Sequence, residues 1–133
     1  MKDEFIAVTR FADLDTQRHV TSRTYESFAL EGRYRILNAL DYPFEKIQSE
    51  QIYLKTVSSY AKFHRQQFPQ VELKVVTEVN PTKAETLHFN QKVFEMSGEL
   101  VCHLQQEASV LKDGAPLTIN VQGEATEDVL YKK

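Results

Sequence analysis

Apolar side chains recur along the chain with two different periods, and the change from one to the other divides it. Tyr25, Phe28, Ala29, Gly32, Arg33, Ile36, Leu37 and Leu40 recur at offsets of three and four. That spacing places them on one stripe of an α-helix. Glu26, Ser27, Glu31, Arg35 and Asn38 fill the other side. Thr21, Ser22 and Thr24 lie at the start, and each offers a hydroxyl to a free backbone N–H of the first turn. Gly32 weakens a helix, so its expected reason is close approach to another element. Arg33 is a charged misfit, expected at the edge of the stripe. Pro43 ends the helix, because proline pushes its predecessor out of helical geometry. Residues 44–50 leave room for one further short turn.

After that the period falls to two. Residues 51–64, 71–79, 85–95 and 99–112 are rich in Val, Thr, Tyr, Phe and Leu and predict four strands. Val71, Leu73 and Val75 alternate with Glu72 and Lys74; Leu87 and Phe89 alternate with Thr86, His88 and Asn90. Turn signals at Pro69, Asn80-Pro81, Ser97-Gly98 and Asp113-Gly114 separate them. Before the helix, residues 4–10 are β-compatible. Residues 11–20 are too charged for a buried element and read as a loop. The tail, 123–133, shows no clear periodicity.

A short strand, a loop, one long helix and then a run of strands indicate an α+β fold with an antiparallel sheet. One helix covers one face of such a sheet. The free edges predict a homodimer or homotetramer.

Composition narrows the function. The 133 residues fit one domain spanning 1–133. A net charge of −3 gives no footprint for nucleic acid. No apolar run is long enough to predict a membrane span, and the N-terminus does not read as a signal peptide, so a cytoplasmic protein is expected. The single cysteine, Cys102, excludes an intrachain disulfide and a cysteine-based zinc cage. Cys102 is expected in the core, with His103 on the opposite face of the same strand. His88 and His103 are expected to be partly exposed or satisfied by neighbours.

The loop ahead of the helix holds the candidate chemistry. Asp13, Asp15, Gln17 and His19 follow at two-residue intervals just before a helix N-terminus. Unpaired N–H groups at that end can hold an oxyanion, and a nearby carboxylate can act as nucleophile or general base toward an acyl carbonyl. On its own, such a loop also serves as a solvated capping segment. A metal site on Asp13, Asp15 and His19 would lack a second cluster of ligands.

Asp13-Leu14-Asp15, His19-Val20 and Tyr25 resemble the D-x-D-x-x-G-H-V-x-x-x-x-Y signature of the hotdog-fold thioesterases, in the group similar to 4-hydroxybenzoyl-CoA thioesterase. The segment Asp13 to Val20 also looks like the D-L-D-x-N-Q-H-V stretch of the acyl-ACP thioesterases. The resemblance implies a long helix wrapped by a curved antiparallel sheet. It implies hydrolysis of an acyl-CoA or acyl-ACP thioester, with no cofactor and no metal beyond the CoA or acyl carrier protein of the substrate. Asp15 then matches the catalytic carboxylate, with His19 and Gln17 beside it. Ser22 matches the helix-start N–H that polarises the thioester, and Arg18 and Tyr25 fall at substrate-binding positions. Asp13 keeps a loop and capping role. Arg18 departs from the signature glycine, and Gln17 from asparagine.

Lys62, His64 and Arg65 read either as a solvated strand end or as a contact for CoA phosphates or an acidic carrier protein. Two other functions compete: a non-catalytic acyl-CoA-binding module, and an enoyl-thioester hydratase or dehydratase. The second lacks the longer D-x-N-P-x-H loop associated with that branch.

Overall fold

The computed structural model describes residues 1–82 and 85–121. In chain order these form β1 (Lys2–Val8), a 3-10 turn (Phe11–Asp13), α1 (Ser22–Ala39), α2 (Phe44–Ser49), β2 (Ile52–Phe63), β3 (Glu72–Pro81), β4 (Leu87–Glu95), β5 (Leu100–Lys112) and β6 (Ala115–Pro116). The strands predicted from the two-residue period are all present. The first strand starts and stops two residues earlier than expected. The 3-10 turn and β6 are too short to leave a period in the sequence. The tail 123–133 lies outside the described residues.

The strands form one antiparallel sheet in the order β1-β3-β4-β5-β2, with β6 pairing the end of β5. The register sets the residues that alternation marked, Val75 and Phe89, opposite further apolar ones: Val75 opposes Val93, and Phe89 opposes Val79. Helix α1 rests on β1, β3 and β4. Among the described residues, the longer of the two edge strands is β2, which exposes Tyr53, Val57 and Phe63.

Two apolar clusters lie between helix and sheet. One gathers Tyr25, Ala29, Val20, Leu73, Val75, Val93 and Cys102 near the start of α1. The other gathers Ile36, Leu37, Val79, Leu87, Phe89 and Ala108 near its end. Each fully buried Val, Leu, Ile or Phe among them contributes roughly 1.5–3 kcal/mol.

A polar seam separates the clusters. Arg33 belongs to the buried stripe rather than its edge, with only 6% of its surface exposed. Its Nη1 donates to Gln91 Oε1 at 2.8 Å. Gln91 Nε2 donates in turn to the Ala29 carbonyl at 2.7 Å and to Thr77 Oγ1 at 2.9 Å. Burial depresses the Arg33 guanidinium from its ordinary value. Gly32 lies over the same place: a Cβ there would collide with Thr77 Oγ1 and come within 2.9 Å of Gln91 Nε2. The close approach expected at Gly32 is therefore real, and its partner is the middle of β3 and β4.

Cys102 is fully buried in the core. Burial pushes its thiol up to about 12, so it stays protonated and inert. His103 is half-buried and bonded to Asn90, and buried His88 meets Gln105 Oε1 at 3.3 Å. Both histidines are satisfied by neighbours. Among the described residues, no helix is long and apolar enough to cross a membrane.

Candidate active site

The loop from Asp13 to Thr21 is a small hairpin. Leu14 and Val20 pair as an isolated antiparallel bridge. Asp15 N donates to the His19 carbonyl at 2.9 Å, and Arg18 N to the Asp15 carbonyl at 3.0 Å. Arg18 has φ of +66°, the left-handed conformation. A three-residue connection with a left-handed last residue is a common hairpin, and glycine suits that position best. The glycine of the thioesterase signature thus falls where the backbone turns left-handed, and this chain makes the same turn with an arginine.

The two carboxylates of the loop have different fates. Asp13 is buried and capped: its Oδ2 accepts the Arg10 N–H at 2.8 Å, and its Oδ1 accepts Arg10 Nη2 at 2.9 Å. Its carbonyl accepts the N–H of Thr21, the residue that precedes α1. The charged loop therefore does contain buried positions, Asp13 and Val20, contrary to the sequence reading. Asp15 stands exposed on the hairpin, and its Oδ1 accepts the N–H of Gln17 at 2.9 Å and of His19 at 3.1 Å. Both bonds fall on Oδ1, so Oδ2 is the oxygen left for chemistry.

The Arg10 side chain holds the Asp13 carboxyl below its ordinary range. The His19 N–H, followed by that of Gln17, does the same for Asp15. A depressed carboxylate stabilises the fold above the ordinary carboxylate range, near pH 4, and that contribution is lost as pH falls through the lowered value. Asp15 is thus an ionised carboxylate at neutral pH, held through Oδ1.

The helix start is open. Neither Thr21, Ser22 nor Thr24 caps it by a side-chain bond to the backbone; Thr21 and Thr24 instead face each other, hydroxyl to hydroxyl, at 3.3 Å. Ser22 is exposed and lines two clefts. One, of about 540 Å³, is bounded by Arg10, Asp13, Leu14 and the first residues of α1. The other, of about 280 Å³, is bounded by Val20, Tyr25, Phe63, His64, Arg65 and Gln66. Leu14 lines the first and Val20 the second, so the base of the hairpin stands between them. Asp15, Gln17, Arg18 and His19 line neither cleft.

Tyr25 is 3% exposed, and its ring leans on Phe63 with centroids 5.8 Å apart. Its hydroxyl has no hydrogen-bond partner among the described residues. Burial raises the phenol well above its ordinary value.

Supports that the sequence had not singled out come from the chain just after β2. Thr9 Oγ1 donates to the Phe68 carbonyl at 2.6 Å, and Val20 N to the Gln67 carbonyl at 3.2 Å. Phe68 meets the His19 ring edge-on at 6.3 Å. Buried Gln67 is anchored through Nε2 to Glu95 Oε2, which also accepts from Arg65. Only the turn signal at Pro69 marked this segment. His64 and Arg65 reach the smaller cleft, whereas Lys62 does not line it.

A model of the thioesterase-like superfamily matches residues 9–121. No curated protein matches the chain in sequence. Among solved structures, a probable thioesterase from Bartonella henselae superposes with a TM-score of 0.80 at 16% identity, covering 90% of this chain and 100% of that one. A 1,4-dihydroxy-2-naphthoyl-CoA thioesterase from Synechocystis gives 0.78 at 14%, covering 90% of each chain. A hypothetical protein from Staphylococcus aureus, solved in complex with CoA, gives 0.79 at 9%, covering 90% of this chain and 77% of that one. These likenesses are of fold: one long helix against a curled antiparallel sheet, the hotdog arrangement.

Proposed function

The chain belongs to the thioesterase-like superfamily, and from that membership we propose that it hydrolyses acyl-CoA or acyl-ACP thioesters to the free acid and the thiol. The observation that carries this reading is an ionised, exposed carboxylate, Asp15, on a hairpin whose base lies between two clefts that share the first residue of α1. In this reading the Ser22 N–H, one of the unpaired donors of the helix start, holds the developing oxyanion. Asp15 either attacks the carbonyl carbon, expelling the thiolate and leaving an anhydride for water to open, or takes a proton from the attacking water. His19 and Gln17, whose N–H groups fix the Asp15 carboxylate, position it, and Arg18 presents its charge from the hairpin tip.

Arg65 and His64, exposed at the smaller cleft, suit the phosphates of CoA or the acidic surface of a carrier protein. The CoA bound to the Staphylococcus aureus relative favours CoA. Pairing of two copies along the β2 edge would cover Tyr53, Val57 and Phe63 and bring a second chain to the rim of that cleft. Sedimentation of a monomer at micromolar concentration would contradict the dimer.

A thiol-release assay over aromatic, short-chain and long-chain acyl-CoA substrates tests the activity. Release above the uncatalysed rate is expected for at least one class. Binding of CoA ligands with no release would make the protein a binding module, and hydration of crotonyl-CoA would make it a hydratase.

A further inference from the structure

We propose that Glu95, the last residue of β4, is a positioning residue for the hydrolysis: acting through Gln67, it sets where the hairpin holds Asp15. The inference rests on the thioesterase reading above, in which Asp15 does the chemistry.

Residues 64–71 join β2 to β3 with no helix or strand of their own. Such a segment has no ladder of hydrogen bonds, so its place depends on the few contacts that tie it down. Its start is tied to β5, where the N–H groups of His64 and Arg65 both donate to the Val101 carbonyl, at 2.8 and 3.3 Å. Its end is tied to Thr9, whose carbonyl accepts the Gln70 N–H and whose Oγ1 accepts the Val71 N–H. Gln67 stands between these ties and works in two directions. Its carbonyl accepts the Val20 N–H at the base of the hairpin, and its Nε2 donates to Glu95 Oε2 at 2.8 Å. Only 4% of Gln67 is exposed, so an amide that lost Glu95 would be left buried and unpaired, and the segment would shift to satisfy it.

Glu95 suits the anchor. Its backbone is fixed in the turn between β4 and β5: its N–H donates to the Glu99 carbonyl, and its own carbonyl accepts the Gly98 N–H, each at 2.8 Å. The Gln67 amide, and after it Arg65, hold the Glu95 carboxyl below its ordinary range, so at neutral pH it only accepts. From there the contacts run through Gln67 to Val20 and on to its neighbour His19, whose N–H grips Asp15 Oδ1. The ring of Phe68, next to Gln67, meets the His19 ring as well. A catalytic group works only within about 0.5 Å of its productive geometry, and a misplacement of about 1 Å costs on the order of 10² in rate.

The test compares the full chain with Glu95→Ala, Glu95→Gln and Gln67→Ala. Amide hydrogen exchange comes first and needs no substrate. The Val20 amide should exchange about tenfold faster in Glu95→Ala, the worth of one hydrogen bond, while the Gln91 amide in the middle of β4 keeps its rate. On a thioester that the wild type hydrolyses, Glu95→Ala and Gln67→Ala should each lower kcat by roughly 10- to 100-fold, and the double variant should be no worse than either. Glu95→Gln keeps an acceptor oxygen for Gln67 and should recover most of the rate; if Gln67→Ala does not fold, the two substitutions at Glu95 still decide. In an Asp15→Asn background, Glu95→Ala should leave the residual turnover unchanged, because the residue acts through Asp15. Val20 exchange that stays at the wild-type rate, no recovery in Glu95→Gln, or an undiminished loss in the Asp15→Asn background overturns the proposal. If no thioester releases thiol, the hydrolase reading falls separately. The Val20 exchange then decides alone: faster exchange in Glu95→Ala supports Glu95 as the anchor of the hairpin, and equal exchange removes it.

Discussion

The first turn of α1 and its middle both bring polar groups into the protein, but they leave them in opposite conditions. Around Gly32 the donors and acceptors answer one another: Arg33 to Gln91, and Gln91 to Thr77 and Ala29. At the first turn Ser22 is exposed in two clefts, the Tyr25 hydroxyl has no partner, and Asp15 keeps one oxygen unengaged by its loop. A buried polar group that is satisfied at home fixes a helix on its sheet; one left unsatisfied is a cost that a ligand can remove. The middle of the helix is closed on its own partners, and its start leaves donors and a carboxylate oxygen unmet.

Substitutions at the two places should therefore separate activity from stability. The largest effect is expected from Asp15→Asn. Asparagine keeps one oxygen for the N–H groups of Gln17 and His19, so the hairpin holds, while turnover falls by about 10²–10⁴. Thiol release together with a circular dichroism melt measures both, and near wild-type turnover would remove Asp15 from the mechanism. Next comes Gln91→Leu, which strands the Arg33 guanidinium and should cost roughly 3 kcal/mol in a urea titration. A loss well under about 1 kcal/mol would mean that the seam does not hold the helix. Gly32→Ala should lose about 1–3 kcal/mol to overpacking, even though alanine is the better helix former by about 1 kcal/mol. A stabilised variant would show that β3 and β4 can give way. The smallest effect is expected at Arg18→Gly: relief of the left-handed strain, less the entropy that glycine adds to the unfolded chain, leaves a gain under about 1 kcal/mol, read as a small rise in melting temperature.

Much of the fold was legible because helix and strand periods survive in the side chains that face the core. Leu73, Val75, Leu87 and Phe89 announced their strands by alternation, and Tyr25, Ala29, Ile36 and Leu37 announced the helix. Arg33 was misplaced because a charge argues for the surface; its spacing from Ala29 and Ile36 was the truer signal. Gln91 carried a similar mark, standing in phase with Phe89 and Val93. The 3-10 turn and β6 have too few residues for any period. At the candidate site, the hairpin residues were recognisable as a motif, and the left-handed backbone at Arg18 accounts for the glycine the motif usually carries. Gln67, Phe68 and Glu95 were not recognisable, since their roles depend on a segment distant in sequence folding back against the loop. Nor could the sequence show that the Tyr25 hydroxyl lacks a partner, which is a property of everything around it.

Gly32 also constrains how this protein can change. A side chain that appears first at that position comes at a cost in stability, because it meets Thr77 and Gln91 before either has given way. A shorter residue at 77, or a rearranged one at 91, would lower that cost, but each of those steps loosens the seam that holds Arg33. The three positions therefore form a ratchet in sequence space: they are free to vary together and close to fixed one at a time. A lineage that reshapes the pocket at the start of α1 can do so without releasing it.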